Sequence, residues 1–238
     1  MNQKSILTIV PSRKRPELLA EMMASFVATR SPENDLVVYV SKDDPRYDDY
    51  ARSLPWPERC LMVNGPRQYI SHTYNMFAEQ NPQYDYYAPL NDDHFCITPG
   101  WDRKLVELLE TKSRGWGCAM AADKLTDWDK YPHPSGCVVS KKTIDALGFM
   151  FYPKLHHIGN DVIMGKLFLA LGILHGAKDV MIEHRHWVNG IRPMDDNYKW
   201  VYGREEQEYG NKMVMDYLYT QYNDDFKKLK EAMTHETH

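Results

Sequence analysis

Apolar residues along this chain fall into short runs, and the spacing within each run predicts its element. SILTIV (Ser5–Val10), DLVVYV (Asp35–Val40), CLMV (Cys60–Val63) and YDYYAPL (Tyr84–Leu90) are β-rich and read as strands. Between them lie segments with helical periodicity. Pro16 to about Thr29 is amphipathic with proline at its first position, where the missing N–H costs nothing. Gln68 to Gln80 sets Ile70, Tyr74 and Phe77 near 3.6-residue spacing, and Trp101 to about Lys112 reads as a further helix. Strands alternating with crossover helices predict an α/β fold with a single, mostly parallel, doubly wound sheet flanked by helices.

The second half is less regular. GWGCAMAA, GCVVS and DVMIEHRH are strand candidates, and Asn160 to Leu171 reads as a buried helix. From Arg204 onward the chain is charged and helical in character, which predicts a core domain over 1–203 and a peripheral C-terminal extension over 204–238. No internal repeat or low-complexity linker interrupts it.

Composition narrows the class. The 43% apolar and 26% charged residues are near the averages for soluble globular proteins, which disfavours disorder and fibrous repeats. A net charge of −4 gives no global attraction to nucleic acid or anionic membrane, although a local basic patch is compatible with it. Four scattered cysteines without a C-x-x-C pair predict reduced thiols and a cytoplasmic setting. SILTIVP is too short for a signal core, and the longest apolar run, LFLALGIL (Leu167–Leu174), is too short to span a bilayer.

In open α/β sheets, ligands bind beyond the carboxyl ends of the strands. PSRKRP (Pro11–Pro16) follows the first strand, SKDDP (Ser41–Pro45) the second, NGPRQ (Asn64–Gln68) the third and NDDH (Asn91–His94) the fourth. Cations, carboxylates and amides thus gather at one edge, as a phosphate-bearing ligand requires. Adjacent carboxylates after an apolar strand repel one another unless a cation intervenes. Oxygen ligands of this kind suit Mg²⁺ or Mn²⁺ bridging a nucleotide diphosphate; the alternative is an Asx turn leading into the TPGW loop. His184 and His186 end a strand-like run at two-residue spacing, which predicts a shared face and a supplementary metal ligand or diphosphate contact.

ILTIVPSRKRPELL, YYAPLNDDHFCITPGWDRKLVELL and HIGNDVIMGKLFLALG together resemble family 2-type glycosyltransferases with the A-type (nucleotide-diphospho-sugar transferase) fold, over roughly residues 5 to 190. The resemblance implies that Pro11, Ser12 and Arg13 line the nucleotide pocket and that Asp43 or Asp44 contacts base or ribose. Arg67 and Asn75 match positions that touch the nucleotide or support its loop. Asn91 and Asp93 hold the outer positions of the D-x-D element with Asp92 between them, and an asparagine stands where the family has its first acid. Asp93 is then the direct metal ligand, with His184 or His186 supplying another. Asp161 matches the catalytic base of inverting members, a role that competes with a plain helix N-terminal acid.

The implied function is metal-dependent transfer of a sugar from a nucleotide-diphosphate donor, UDP being the family's commonest carrier, to a hydroxyl acceptor. The acceptor class stays open among glycan, protein, small molecule and modified DNA base, the last served by a groove of Arg13, Lys14, Arg15 and Arg67. Trp101, Tyr131, His133 and Trp187 are candidate acceptor platforms. Three alternatives remain: a nucleotidyltransferase, disfavoured because PSRKRPELL has no glycine; a non-catalytic nucleotide-binding protein, favoured by Asn91; and a metal-dependent hydrolase, which would need a denser ligand set.

Overall fold

The computed structural model describes residues 4–54, 56–124 and 133–236. Its strands are β1 (Ile6–Ser12), β2 (Asn34–Ser41), β3 (Cys60–Gly65), β4 (Tyr86–Pro89), β5 (His94–Cys96), β6 (Cys118–Ala122), β7 (Cys137–Ser140) and β8 (Leu174–His184). The helices are α1 (Pro16–Thr29), α2 (Tyr47–Ser53), α3 (Ile70–Gln80), α4 (Trp101–Ser113), α5 (Lys141–Leu147), α6 (Asn160–Ala170), α7 (Asp196–Val201), α8 (Arg204–Thr220) and α9 (Tyr222–His235).

One sheet runs β3-β2-β1-β4-β7-β6-β8-β5. The expected parallel arrangement holds for β1 to β4 and for β6 beside β8. The β4–β7, β6–β7 and β5–β8 pairs are antiparallel, so the sheet is mixed. For β5 the reason lies in the short connection. β5 follows β4 after a four-residue turn, which leaves no room for a crossover helix of the length a parallel return needs.

Both faces of the sheet are covered. Side chains alternate along β1, so Ile6 and Val10 enter a core with Leu19, Met22 and Phe26 of α1 and Trp101 and Leu105 of α4. Leu7 and Ile9 enter the opposite core with Tyr74 and Phe77 of α3, Ile144 of α5, and Ile163 and Phe168 of α6. Tyr217 of α8 and Leu229 of α9 are fully buried in that second core. Their burial roots the charged C-terminal helices in the sheet.

Two left-handed glycines are required where elements meet. A Cβ on Gly117 (φ +90°), just before β6, would lie 1.9 Å from the Ile173 carbonyl oxygen. On Gly159 (φ +96°), which caps α6, it would lie 2.3 Å from Val214 Cγ2 on α8. Both positions need the absent side chain for space as well as for backbone freedom. The four cysteines are free and buried, and no helix among the described residues is long and apolar enough to cross a membrane.

Candidate functional site

The NDDH segment is the turn between β4 and β5, and β5 pairs with the end of β8. That pairing sets His94 opposite His184, and the Arg185 N–H donates to the Asp93 carbonyl at 2.9 Å. Two motifs ninety residues apart in sequence therefore share one site, and both carboxylates of the turn are buried.

Asp92 is 4% exposed and held from β1: Ser12 Oγ donates to it at 2.7 Å and Arg15 Nη1 at 3.0 Å. Burial raises its pKa to about 6 against the pull of Arg15, with Asp93 adding to the rise. The Ser12 hydroxyl proton is committed to Asp92, so Ser12 accepts from Tyr50 OH at 3.0 Å, and Tyr50 accepts from the Arg15 N–H at 2.7 Å.

Asp93 is 2% exposed. Burial opposes its ionisation, but His184, His94 and a hydrogen bond from Tyr198 OH hold its pKa well below the usual carboxylate range. His184 Nε2 and the Tyr198 hydroxyl both approach Oδ2, the former at 3.3 Å. Oδ1 is buried and has no hydrogen-bond partner. An ionised, buried oxygen without a donor is costly, and it is the feature a bound cation would relieve.

The histidines divide by tautomer, which their partners determine. His94 Nδ1 accepts the Asn91 N–H at 2.9 Å, so its Nε2 carries the proton and donates to Ser135 Oγ at 3.1 Å. His186 Nδ1 accepts the Val188 N–H at 3.2 Å, leaving its proton on Nε2 toward Tyr202 OH at 3.3 Å. Burial pushes these two down to about 3 and about 4 respectively, so both stay neutral. His184 is the reverse case: burial disfavours its charged form, but Asp93 overrides this and raises its pKa. Its Nδ1 lies 3.4 Å from Ser135 Oγ, which leaves Nε2 directed at Asp93. One ligand atom each from Asp93, His94 and His184 lie within 4.8 Å of one another. The hydrogen bonds just described make His184, of the three histidines, the one whose Nε2 faces the carboxylate, to which its N–H donates.

The other sequence-predicted residues divide between crevice and support. Pro11 is the penultimate residue of β1, in register with Tyr39 of β2 and beyond the ladder with β4, where no N–H is needed on that side. Arg13 forks onto exposed Asp43 at 2.9 and 3.3 Å, at the lip of the crevice. Asp44 is 5% exposed and accepts the backbone N–H groups of Lys14 and Arg46, both at 2.8 Å, so it braces two loops. Asn91 Oδ1 lies 3.0 Å from Tyr74 OH. Asn75 clamps residues 150–151, with Nδ2 on the Phe151 carbonyl and Oδ1 accepting both N–H groups. Arg67 is exposed, its guanidinium 5.7 Å from the Trp200 ring. Asp161 opens α6 half-buried; burial and then the charges of Asp161 and Asp93 raise the pKa of Tyr202, so both acids act on one side chain. Trp101 is fully buried against Phe26 and cannot serve as a platform. Trp187 and His133 are half-buried, and Tyr131 falls outside the described residues.

Sequence reasoning missed the segment after β8. Asp195 grips Arg15 Nε and Nη2 at 2.6 and 2.8 Å, Asn197 donates to the Arg13 carbonyl, and Arg15 lies 4.3 Å over the Tyr198 ring. It also missed half-buried His157, whose pKa burial lowers to about 4 while Asp93, Arg15 and His186 act on it. These residues lie in polar stretches without periodicity. DDNYKW offered only a helix-cap signature at Asp195.

No family profile and no curated protein matches the sequence. Solved structures do match. The mannosyltransferase PcManGT from Pyrobaculum calidifontis, solved in complex with GDP-Man and Mn²⁺, is similar over 97% of this chain and 74% of its own, at TM-score 0.64 and 13% identity. S. aureus TarS 1–349 in complex with UDP is similar over 75% of this chain and 59% of its own, at TM-score 0.57 and 10% identity. The fold is accordingly that of A-type glycosyltransferases, and the chain spans 59% of the TarS fragment's length.

Proposed function

We propose that this protein transfers a sugar from a nucleotide-diphosphate donor to a hydroxyl acceptor, with inversion, at the crevice between the NDDH turn and the end of β8. The observation that carries this reading is Asp93 Oδ1, an ionised, buried oxygen without a partner at the carboxyl edge of an A-type sheet. Mn²⁺ in one structural neighbour, and GDP-Man and UDP as bound ligands, support a divalent cation and a nucleotide-sugar donor for this chain as well.

Asp93 and His184 would hold such a cation: Asp93 Oδ1 is a carboxylate oxygen in want of a positive partner, and His184 Nε2, which faces Oδ2 of the same carboxylate while Nδ1 meets Ser135, would give up its proton to ligate. His186 fits less well, because its acceptor nitrogen is committed to Val188. When bound, the metal supplies Lewis-acid neutralisation of the charge that develops on the departing diphosphate. The chain's own residues do the rest. Pro11, Ser12, Arg13 and Asp43 bound the nucleotide side, with Asn91 and Asp92 at the turn and Arg67 on the outer lip. Asp161 takes the proton of the acceptor hydroxyl as it attacks the anomeric carbon.

The test is calorimetric titration of nucleoside diphosphates and nucleotide sugars, with Mn²⁺ and then with chelator. UDP or GDP binding that requires metal and disappears in Asp93→Ala is the expected outcome. Failure of every nucleotide to bind ends the reading.

A further inference from the structure

Arg15 carries two carboxylates of unlike character. Asp92 is 4% exposed and belongs to the acidic turn. The Asp195 side chain is 40% exposed, and it meets the guanidinium with both oxygens. A bidentate carboxylate on this edge of an arginine presents two anionic oxygens in the arrangement a phosphate group would offer.

The segment that delivers Asp195 also covers its neighbours. Tyr198 donates to Asp93, and Asn197 Nδ2 donates to the Arg13 carbonyl at 2.5 Å. Three side chains from four consecutive residues are thus engaged with the end of β1 and the acidic turn. The same segment leaves apolar side chains in water: Met194 is 38%, Trp200 42% and Tyr202 41% exposed. Buried Tyr198 and Val201 hold it to the body alongside these polar contacts.

We propose that Arg15 is a diphosphate-binding cation of the donor site and that Asp195 is its internal substitute, displaced when the nucleotide arrives. The proposal rests on the glycosyl-transfer reading above and names the group that takes the phosphate. The exchange keeps an anion on the same fork, the diphosphate carrying more charge than the carboxylate it replaces. Asp195 is the exchangeable partner: its half-exposed carboxylate rehydrates at little cost, whereas Asp92 is enclosed. Arg15 also stacks on Tyr198, so displacing Asp195 weakens the segment's hold at the same arginine, while Asp93 Oδ2 keeps its contact with His184. In that arrangement the protein's own carboxylate competes with the donor, and apparent affinity falls by the fraction of molecules that are open.

The experiment titrates UDP and GDP, each with Mn²⁺, into the wild-type protein, Asp195→Asn and Arg15→Lys. Asparagine retains an oxygen to cap α7 through the Tyr198 N–H but loses the charge. The expected result is binding about tenfold tighter in Asp195→Asn and weaker in Arg15→Lys, whose ammonium lacks the fork. Inorganic pyrophosphate, used as a competitor without base or sugar, shows the same gain in Asp195→Asn. Binding by Asp195→Asn alone, with none by the wild type, equally supports the displacement. Wild-type binding that Asp195→Asn leaves unchanged or weakens overturns the inference while the glycosyl-transfer reading stands. Absence of binding in both proteins removes that reading and the inference with it.

Discussion

Asp93 stays ionised where burial argues against it, and that single residue concentrates the chemistry of the site. Asp161 differs: it is half-buried and accepts the N–H of Val162 in its own helix at 2.9 Å. Asp161→Asn is expected to keep nucleotide binding and to lower transfer by about 10²–10⁴-fold, the usual worth of a general base. Separate calorimetry and turnover measurements check both halves, and unchanged turnover removes Asp161 from the mechanism. His157 carries a pH prediction. Its folded pKa, about 4, lies below the ordinary histidine value, so below about pH 6.5 the unfolded chain takes up a proton that the folded chain refuses. The neutral form is the folded one, so stability is lost as pH falls from 6.5 toward 4. The stability difference between wild type and His157→Gln should therefore shift by roughly 1–2 kcal/mol against the wild type between pH 7.5 and 5, partial exposure allowed for. Urea denaturation at the two pH values reads it, and parallel curves count against a buried neutral imidazole.

At the scale of elements, α6 is placed by the contact between its N-terminus and α8. Gly159 adopts φ +96°, with Val214 where a Cβ would be. Gly159→Ala should cost about 2–4 kcal/mol through left-handed strain and overpacking. Because Asp161 rides on the displaced helix, turnover should fall further than nucleotide affinity. A variant as stable and active as the wild type would show that α6 and α8 tolerate separation. The long elements were legible in the sequence: α1 spans the residues its proline and apolar stripe predict, and β1, β2, α3, α4 and α6 lie within two residues of expectation. The missed elements, α2, β5, α5 and α7, have at most seven residues. In windows that short, periodicity carries little information and tertiary contacts decide the backbone.

For the whole molecule, the proposed function predicts that cation and nucleotide act as stabilisers, because a ligand that binds the folded crevice and not the unfolded chain favours the folded state. At a hundredfold excess over Kd the gain is about 2.7 kcal/mol. Thermal unfolding with nucleotide and Mn²⁺ should show a raised Tm that chelator reverses. A Tm raised equally in chelator would assign the effect to the nucleotide alone.

The residues by themselves determined the alternation of strands and helices, the polar chemistry at the ends of β1 to β4, and the acidic turn, because period and composition are local properties. Tertiary structure alone decided which histidine faces Asp93, since that choice depends on Ser135 and Val188 taking the competing nitrogens. It also decided that Asn75 and Asp44 brace loops, that Trp101 is core, and that Asp195 reaches Arg15 across 180 residues of chain. Each of these turns on which donor meets which acceptor in space, and a hydrogen bond between distant segments leaves no period in the sequence for a local reading to find.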